Sequence, residues 1–346
     1  FLDEKGKINL NGFGQAIPAE EQVYPDYDVL MSGLKDRPEE FQNYLKVGLE
    51  TDWFGFDERA KDKDRGKYIG QLFTSKGCVA RCTFCQRSTK GYRIQPLEHL
   101  ENHLKYLKDK HDVGFIHVLD ENFGSDKKHS YKVADIFHKH NLLWFASGVR
   151  CKSTTSEDVK YYRDRGCSSL KYGIESGSQK ILDMMEKVFK VADVEKAVTS
   201  CIKHGVFSPI NIMLGMPGED ETTARTTGQF IGRLTSKLGV HFKYTPHDIM
   251  WALPLPGTPL WEYGEQLGVI GKKDDDVVHY LTRVSDAGCF RRYYINLNGA
   301  PISEVLFWEY LVLFEASRTF HKLNNINKEL KFKQPGCIKR CFTKCL

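Results

Sequence analysis

Three cysteines, Cys78, Cys82 and Cys85, stand in the segment Lys76-Gly-Cys-Val-Ala-Arg-Cys-Thr-Phe-Cys-Gln-Arg87. Thiolates are the soft ligands that iron-sulfur clusters require, and three of them on one short loop make cluster assembly a local event. At this CxxxCxxC spacing they can hold three irons of a four-iron, four-sulfur cluster and leave the fourth iron open for chemistry. A zinc-binding interaction module without catalysis is the alternative use of the same residues. Structural zinc normally closes with four ligands from paired CxxC-like knuckles, and no second pair lies near this loop.

With Phe84 just before the last cysteine, the stretch resembles the signature of the radical S-adenosylmethionine (SAM) enzymes. The resemblance implies that SAM binds the open iron through its methionyl amine and carboxylate. An electron from the reduced cluster then cleaves the sulfonium to a 5'-deoxyadenosyl radical, which abstracts hydrogen from an unactivated C–H bond. It implies an electron donor of flavodoxin or ferredoxin type and a site that excludes water and stray hydrogen donors.

Several residues stand where such a cofactor needs partners. Phe115-Ile-His-Val-Leu-Asp-Glu-Asn-Phe123 ends in Asp120, Glu121 and Asn122, whose oxygens can accept hydrogen bonds from the SAM amine, or else merely open a polar turn. Arg150 follows Trp144-Phe-Ala-Ser-Gly-Val149 and can clamp the SAM carboxylate, with a surface salt bridge as its other reading. Tyr172-Gly-Ile-Glu-Ser-Gly-Ser178 resembles the superfamily's Gly-Ile-Glu-Ser-Gly segment, making Glu175 the acceptor for ribose hydroxyls, with Ser176 and Gly177 shaping the turn. Asn211-Ile-Met-Leu-Gly-Met-Pro-Gly-Glu219 resembles the fifth-strand motif whose backbone meets adenine; Gly215 permits that approach, and Glu219 reads as a helix start. Phe84 serves as an adenine contact, a core residue, or both.

These residues need strands that end at one face. Apolar runs at 68–74, 113–119, 142–148, 168–175, 206–214 and 248–253 alternate with amphipathic stretches, the pattern of βα units around a parallel sheet. Leu97, Leu100, Leu104 and Leu107 fall at helical spacing behind Pro96. Thr155 and Asp158 form a capping box, and Gly166 closes the helix that follows. Six strands are too few for a closed eight-stranded barrel but suit the α/β fold that the resemblance implies, a partial (βα)6 TIM-like barrel with reactive groups at the C-terminal strand ends. The expected layout is a lead-in over 1–66, the radical SAM barrel over 67–262, and a helical extension with a basic, cysteine-containing tail over 263–346.

The bulk properties bound the partners. Fifty basic against 45 acidic residues leave a formal charge of +5, too little to argue for nucleic acid. No apolar run reaches membrane-spanning length; in 305–320, Glu309 and Glu315 interrupt the longest one. Ten cysteines with three committed to a cluster suit a reducing, cytoplasmic setting better than a disulfide scaffold.

The block from about Pro25 to Tyr263 most resembles the superfamily branch that places a cobalamin-binding domain before the radical domain. That branch includes methyltransferases, oxidative cyclases and other radical enzymes acting on small or natural-product-like molecules. The chain opens at Phe1 as if in the middle of a longer protein; the resemblance allows cobalamin only through a domain upstream, and these residues do not themselves read out its use. No cysteine precedes Cys78, which disfavours the methylthiotransferases, and Arg87 stands where coproporphyrinogen-dehydrogenase-like enzymes carry a fourth cysteine. In the tail, a helix would set Cys337 and Cys345 about 12 Å apart at about 1.5 Å per residue, too far for one compact cluster, so free thiols are the expectation over an auxiliary cluster.

Overall fold

A computed structural model describes residues 17–46, 54, 57–86, 91–238, 247–271, 274–285 and 293–325. All six expected runs form strands: β1 (Tyr68–Leu72), β4 (Val113–Val118), β5 (Leu143–Val149), β6 (Cys167–Tyr172), β7 (Ile210–Leu214) and β8 (His247–Trp251). A short antiparallel hairpin of β2 (Ser75–Lys76) and β3 (Arg93–Ile94) brackets the cysteine loop, which the sequence pattern did not announce. Strands β1, β4, β5 and β6 lie side by side in that order, all parallel, and β7 pairs in parallel with β8. Parallel bridges Ser169↔Phe207 and Glu175↔Ile212 carry the sheet from β6 to β7. The result is an α/β fold with a curved, open six-stranded barrel; among the described residues no pairing joins β8 back to β1.

Crossover helices cover the outside: α3 (Leu97–His111), α4 (Lys127–Lys139), α5 (Ser156–Asp164), α6 (Gln179–Met184), α7 (Val191–Lys203) and α8 (Glu221–Leu238), after α1 (Tyr27–Gly33) and α2 (Pro38–Lys46) of the lead-in. Pro96 precedes the first turn of α3, whose Leu100, Leu104 and Leu107 are fully buried. The Thr155/Asp158 capping box opens α5, and Gly166 takes the left-handed φ of 93° just past its end.

Because the sheet is covered on both faces, its strands are apolar on both. One face, with Ile116, Val118, Trp144, Leu170, Ile212 and others, packs under the helices. The other lines the barrel interior, where Ile69, Phe115, Leu143 and Phe145 close around Phe54, whose ring lies edge-on to Phe115 at 4.9 Å and to Phe145 at 5.4 Å. The lead-in thus plugs one end of the barrel. It also reaches the other end, where the Tyr24 hydroxyl donates to the Phe73 carbonyl at 2.8 Å.

Beyond β8 come α9 (Pro259–Gln266), α10 (Asp274–Ser285) and α11 (Ile302–Leu323). The apolar stretch at 305–320 lies in α11 and packs on α8. A β-carbon at Gly228 would come within 2.5 Å of the Val312 carbonyl oxygen, and one at Gly232 within 2.5 Å of that of Ala316, so glycine permits the close approach. No helix among the described residues is long and apolar enough to cross a membrane. Cys337, Cys341 and Cys345 lie outside the described residues.

Candidate cluster and cofactor site

The cysteine loop is held from two sides. Thr83 donates its N–H to the Met185 carbonyl and its hydroxyl to that of Met184, both at 3.1 Å, at the end of α6. Its own carbonyl accepts the Leu260 N–H of α9 at 3.0 Å, and the Gln86 amide donates to the Pro256 carbonyl at 3.2 Å. Within the loop, the Cys85 N–H closes a turn on the Cys82 carbonyl, and the Ala80 N–H points at the Cys78 sulfur at 3.4 Å.

All three cysteines are free thiols. Burial pushes the Cys85 thiol up, and the charges of Cys82 and Cys78 push it further, so the three sulfurs act on one another. Among the described residues no three His, Cys, Asp or Glu side chains gather tightly enough for a single ion. A cubane cluster asks for less crowding, since each thiolate binds a different iron. The donor set, three thiols on one pinned loop, fits such a cluster.

Glu175 stands next to this loop. Its φ of 64° is left-handed, which is costly for a residue with a side chain. Strand β7 enforces it from both sides: the Glu175 N–H donates to the Asn211 carbonyl at 3.1 Å, and its carbonyl accepts the Met213 N–H at 2.8 Å. The carboxylate meets Lys187 at 3.1 Å, and both side chains are about nine-tenths buried. Burial disfavours the Lys187 ammonium, yet Glu175 and the Cys82 thiolate more than offset this and raise its pKa. Its ammonium also lies 5.6 Å from the Phe84 ring. Phe84 packs, partly buried, against Ile181, Met185 and Leu260, so it is at once a core residue and a wall of the site.

Lys187 was missed by sequence reasoning. It ends the segment Met184-Met-Glu-Lys187, just past a short helix, and reads as a surface lysine. The faint signal is its position, a short helix after the Glu175 turn.

Arg150, at the end of β5, donates to the Lys187 carbonyl at 2.8 Å. It makes no salt bridge among the described residues. Glu121 is exposed, and its charge acts on Cys85. Asn122 is fully buried with neither its amide oxygen nor its nitrogen bonded, an orphaned polar group of the kind a ligand or water completes.

Three residues are employed differently from the sequence expectation. Asp120 is buried, and its two oxygens receive four donors: the Thr74 and Ser75 N–H groups at 2.6 and 3.1 Å and both hydroxyls at 2.6 Å. With its lone pairs filled it has nothing to offer an ammonium; it anchors the strand that leads into the cysteine loop. Ser176 turns its hydroxyl to Thr227 of α8 at 3.1 Å and accepts the Ser178 N–H, so it is engaged within the scaffold. Glu219 is no helix start. It is buried outside α8, accepts the Gly215 N–H at 2.6 Å, and is pushed up by burial to about 8. Gly215 itself takes φ 85°, and its carbonyl accepts the Tyr294 hydroxyl at 3.1 Å, so the residues before α11 close over the end of β7.

Residues 72–231, from the end of β1 to α8, match the Radical SAM superfamily. This stretch is similar to a radical SAM domain. The chain is 29% identical over 208 residues to an uncharacterised methyltransferase of Pyrococcus horikoshii, covering 59% of this chain and 43% of that one. It is 24% identical over 198 residues to the anaerobic magnesium-protoporphyrin IX monomethyl ester cyclase of Cereibacter sphaeroides, covering 54% and 31%. The chain thus spans less than half the length of these curated relatives. Its fold resembles that of the cobalamin-dependent SAM radical enzyme OxsB with aqua-cobalamin bound, at TM-score 0.55 and 13% identity, covering 94% of this chain and 60% of that one.

Proposed function

We propose that this chain is the catalytic part of an enzyme that carries a [4Fe-4S] cluster on Cys78, Cys82 and Cys85, binds SAM beside it, and functionalises an unactivated C–H bond of a small, natural-product-like substrate. The buried Glu175–Lys187 pair beside the cysteine loop carries this reading. A buried ion pair rarely repays its desolvation in stability, and here it sits on a strained backbone next to three thiols.

When bound, the cluster and SAM supply a reducing electron and a 5'-deoxyadenosyl group that abstracts hydrogen. The chain's own residues position them. Lys187 and Arg150 provide the cations for the methionyl carboxylate, while Glu121 and Asn122 offer oxygens to the amine. Glu175 accepts from the ribose hydroxyls. Gly215 and Phe84 border the adenine place. Asp120, Ser176 and Glu219 hold the three loops from behind. An acidic flavodoxin-type or ferredoxin-type donor delivers the electron, and the free thiols Cys151, Cys167 and Cys201 suit a reducing compartment such as the cytoplasm.

Cobalamin-assisted methylation is the outcome favoured by the methyltransferase relative, with cobalamin on a domain outside this chain. The cyclase relative supports oxidative cyclisation as the second reading. Anaerobically purified protein should contain iron and sulfide, and with dithionite should convert SAM to 5'-deoxyadenosine. Cys82→Ala should abolish both cluster and product. Stoichiometric zinc in place of iron, with no product, would sink the proposal. S-adenosylhomocysteine formed once the cobalamin domain is present separates methylation from cyclisation.

A further inference from the structure

The barrel interior changes character halfway up. Below lies the apolar plug around Phe54. One step higher, the strands present Gln71, His117, Ser147 and Lys171 on that same interior face. Side chains two apart in a strand share a face, so Gln71 follows Ile69, His117 follows Phe115, and Ser147 follows Phe145. Register places Gln71 beside His117 and His117 beside Phe145. The side chains confirm the grouping: His117 Nε2 and Ser147 Oγ are 2.8 Å apart, and the imidazole stacks on Phe145 with centroids 4.0 Å apart. Ser169, which pairs with Phe145 across the strands, adds a buried hydroxyl with no partner.

This row is polar where a barrel core is ordinarily aliphatic, and its four residues are half-buried rather than sealed. It also lies directly beneath the cofactor site. Gly173 is two residues beyond Lys171 on the same face, roughly 6.6 Å at about 3.3 Å per residue. A β-carbon on Gly173 would stand 3.0 Å from Glu175 Oε1 and 3.1 Å from Lys187 Nζ.

We infer that Lys171, His117, Ser147 and Gln71 form the floor of the substrate site and hold an oxyanion of the substrate, a carboxylate or a phosphate-like group. Lys171 brings the positive charge. Gln71 brings a directed hydrogen bond and the hydrogen-bonded His117–Ser147 pair brings one more, so that with Lys171 they suit the several oxygens of one anion. Burial and then the charge of Lys171 push the His117 imidazole down to about 4, so it is neutral there, and its bond with Ser147 leaves the pair one N–H or O–H to donate to the anion. An anion held there presents the rest of the molecule upward to the SAM site. The inference rests on the proposed radical chemistry for that direction, but the anion site itself does not.

Calorimetric titration of the iron-loaded full chain with methylphosphonate, inorganic phosphate and acetate tests it, with SAM affinity measured on the same samples. The expected result is one saturable site for at least one anion, weakened about tenfold in Lys171→Met and His117→Gln, as for loss of a charge-assisted hydrogen bond. Lys171→Arg should retain binding, and Ser147→Ala, the mildest change, should weaken it without disturbing the fold. Tighter methylphosphonate than acetate would assign a phosphate-like group, and the reverse a carboxylate. No saturable binding of any of the three, or equal affinity in the wild type and all variants, would overturn it. Lysine-dependent anion binding in a chain that fails to bind SAM would leave this inference standing and remove the proposed function, and the converse would do the opposite.

Discussion

Two buried carboxylates, one at the barrel mouth and one between α8 and α11, show how a scaffold charge differs from a working one. Glu315 lies between Arg225 at 2.7 Å on one oxygen and Arg318 at 2.7 Å on the other, and both arginines reach solvent. The pair of cations satisfies both oxygens, the backbone is an ordinary helix, and burial is outweighed, so its pKa falls. Glu175 has one ammonium, on one oxygen, and a strained φ held by strand pairing. Asp120, only a strand away, belongs with Glu315: four donors fill it completely. Completeness of partners, rather than burial, separates the two kinds.

The largest effect should come from emptying a completed site. Asp120→Ala strands four buried donors and should cost about 3–4 kcal/mol of stability, read by chemical denaturation. A loss below about 1 kcal/mol would mean that Thr74 and Ser75 find other acceptors and that the contrast is false. Next, Glu175→Ala should weaken SAM binding at least about tenfold while iron content stays at the wild-type level, since the residue touches no iron. Unchanged affinity with intact iron would move Glu175 into the scaffold class.

Glu315→Gln keeps the shape but loses two ion pairs that are partly open to water, and should cost only about 1–2 kcal/mol with SAM affinity unaltered. An effect on SAM binding would show that α11 reports to the mouth. The smallest signal is a pH slope. Burial raises Glu219 from the ordinary carboxylate range to about 8, so the folded chain holds a proton that the unfolded chain releases. Its contribution to stability is therefore full below the ordinary carboxylate value of 4.5, falls progressively as pH rises above it, and is gone once pH passes about 8. Glu219→Gln should flatten that part of the melting temperature profile and change little below it.

Much of this protein was legible before any fold was known. The spacing of Cys78, Cys82 and Cys85, the six apolar runs, the helix behind Pro96 and the Thr155 capping box are local properties, set by chain connectivity and short-range sterics, and they appear where the pattern puts them. Which polar residue works and which supports was decided by tertiary structure. Asp120, Glu121 and Asn122 are consecutive, yet one is saturated, one exposed and one buried without partners, because the chain leaving β4 crosses against β5 at Gly148 and twists each side chain into a different environment. Lys187 looks like any helix-end lysine until β7 closes beside β6, locks Glu175 into its left-handed turn and removes water from the ammonium. Residue type and spacing could name the chemistry, but partner and dielectric are set by strands and helices more than ten residues away, and those decide where a charge is spent on stability and where it is left available to a ligand.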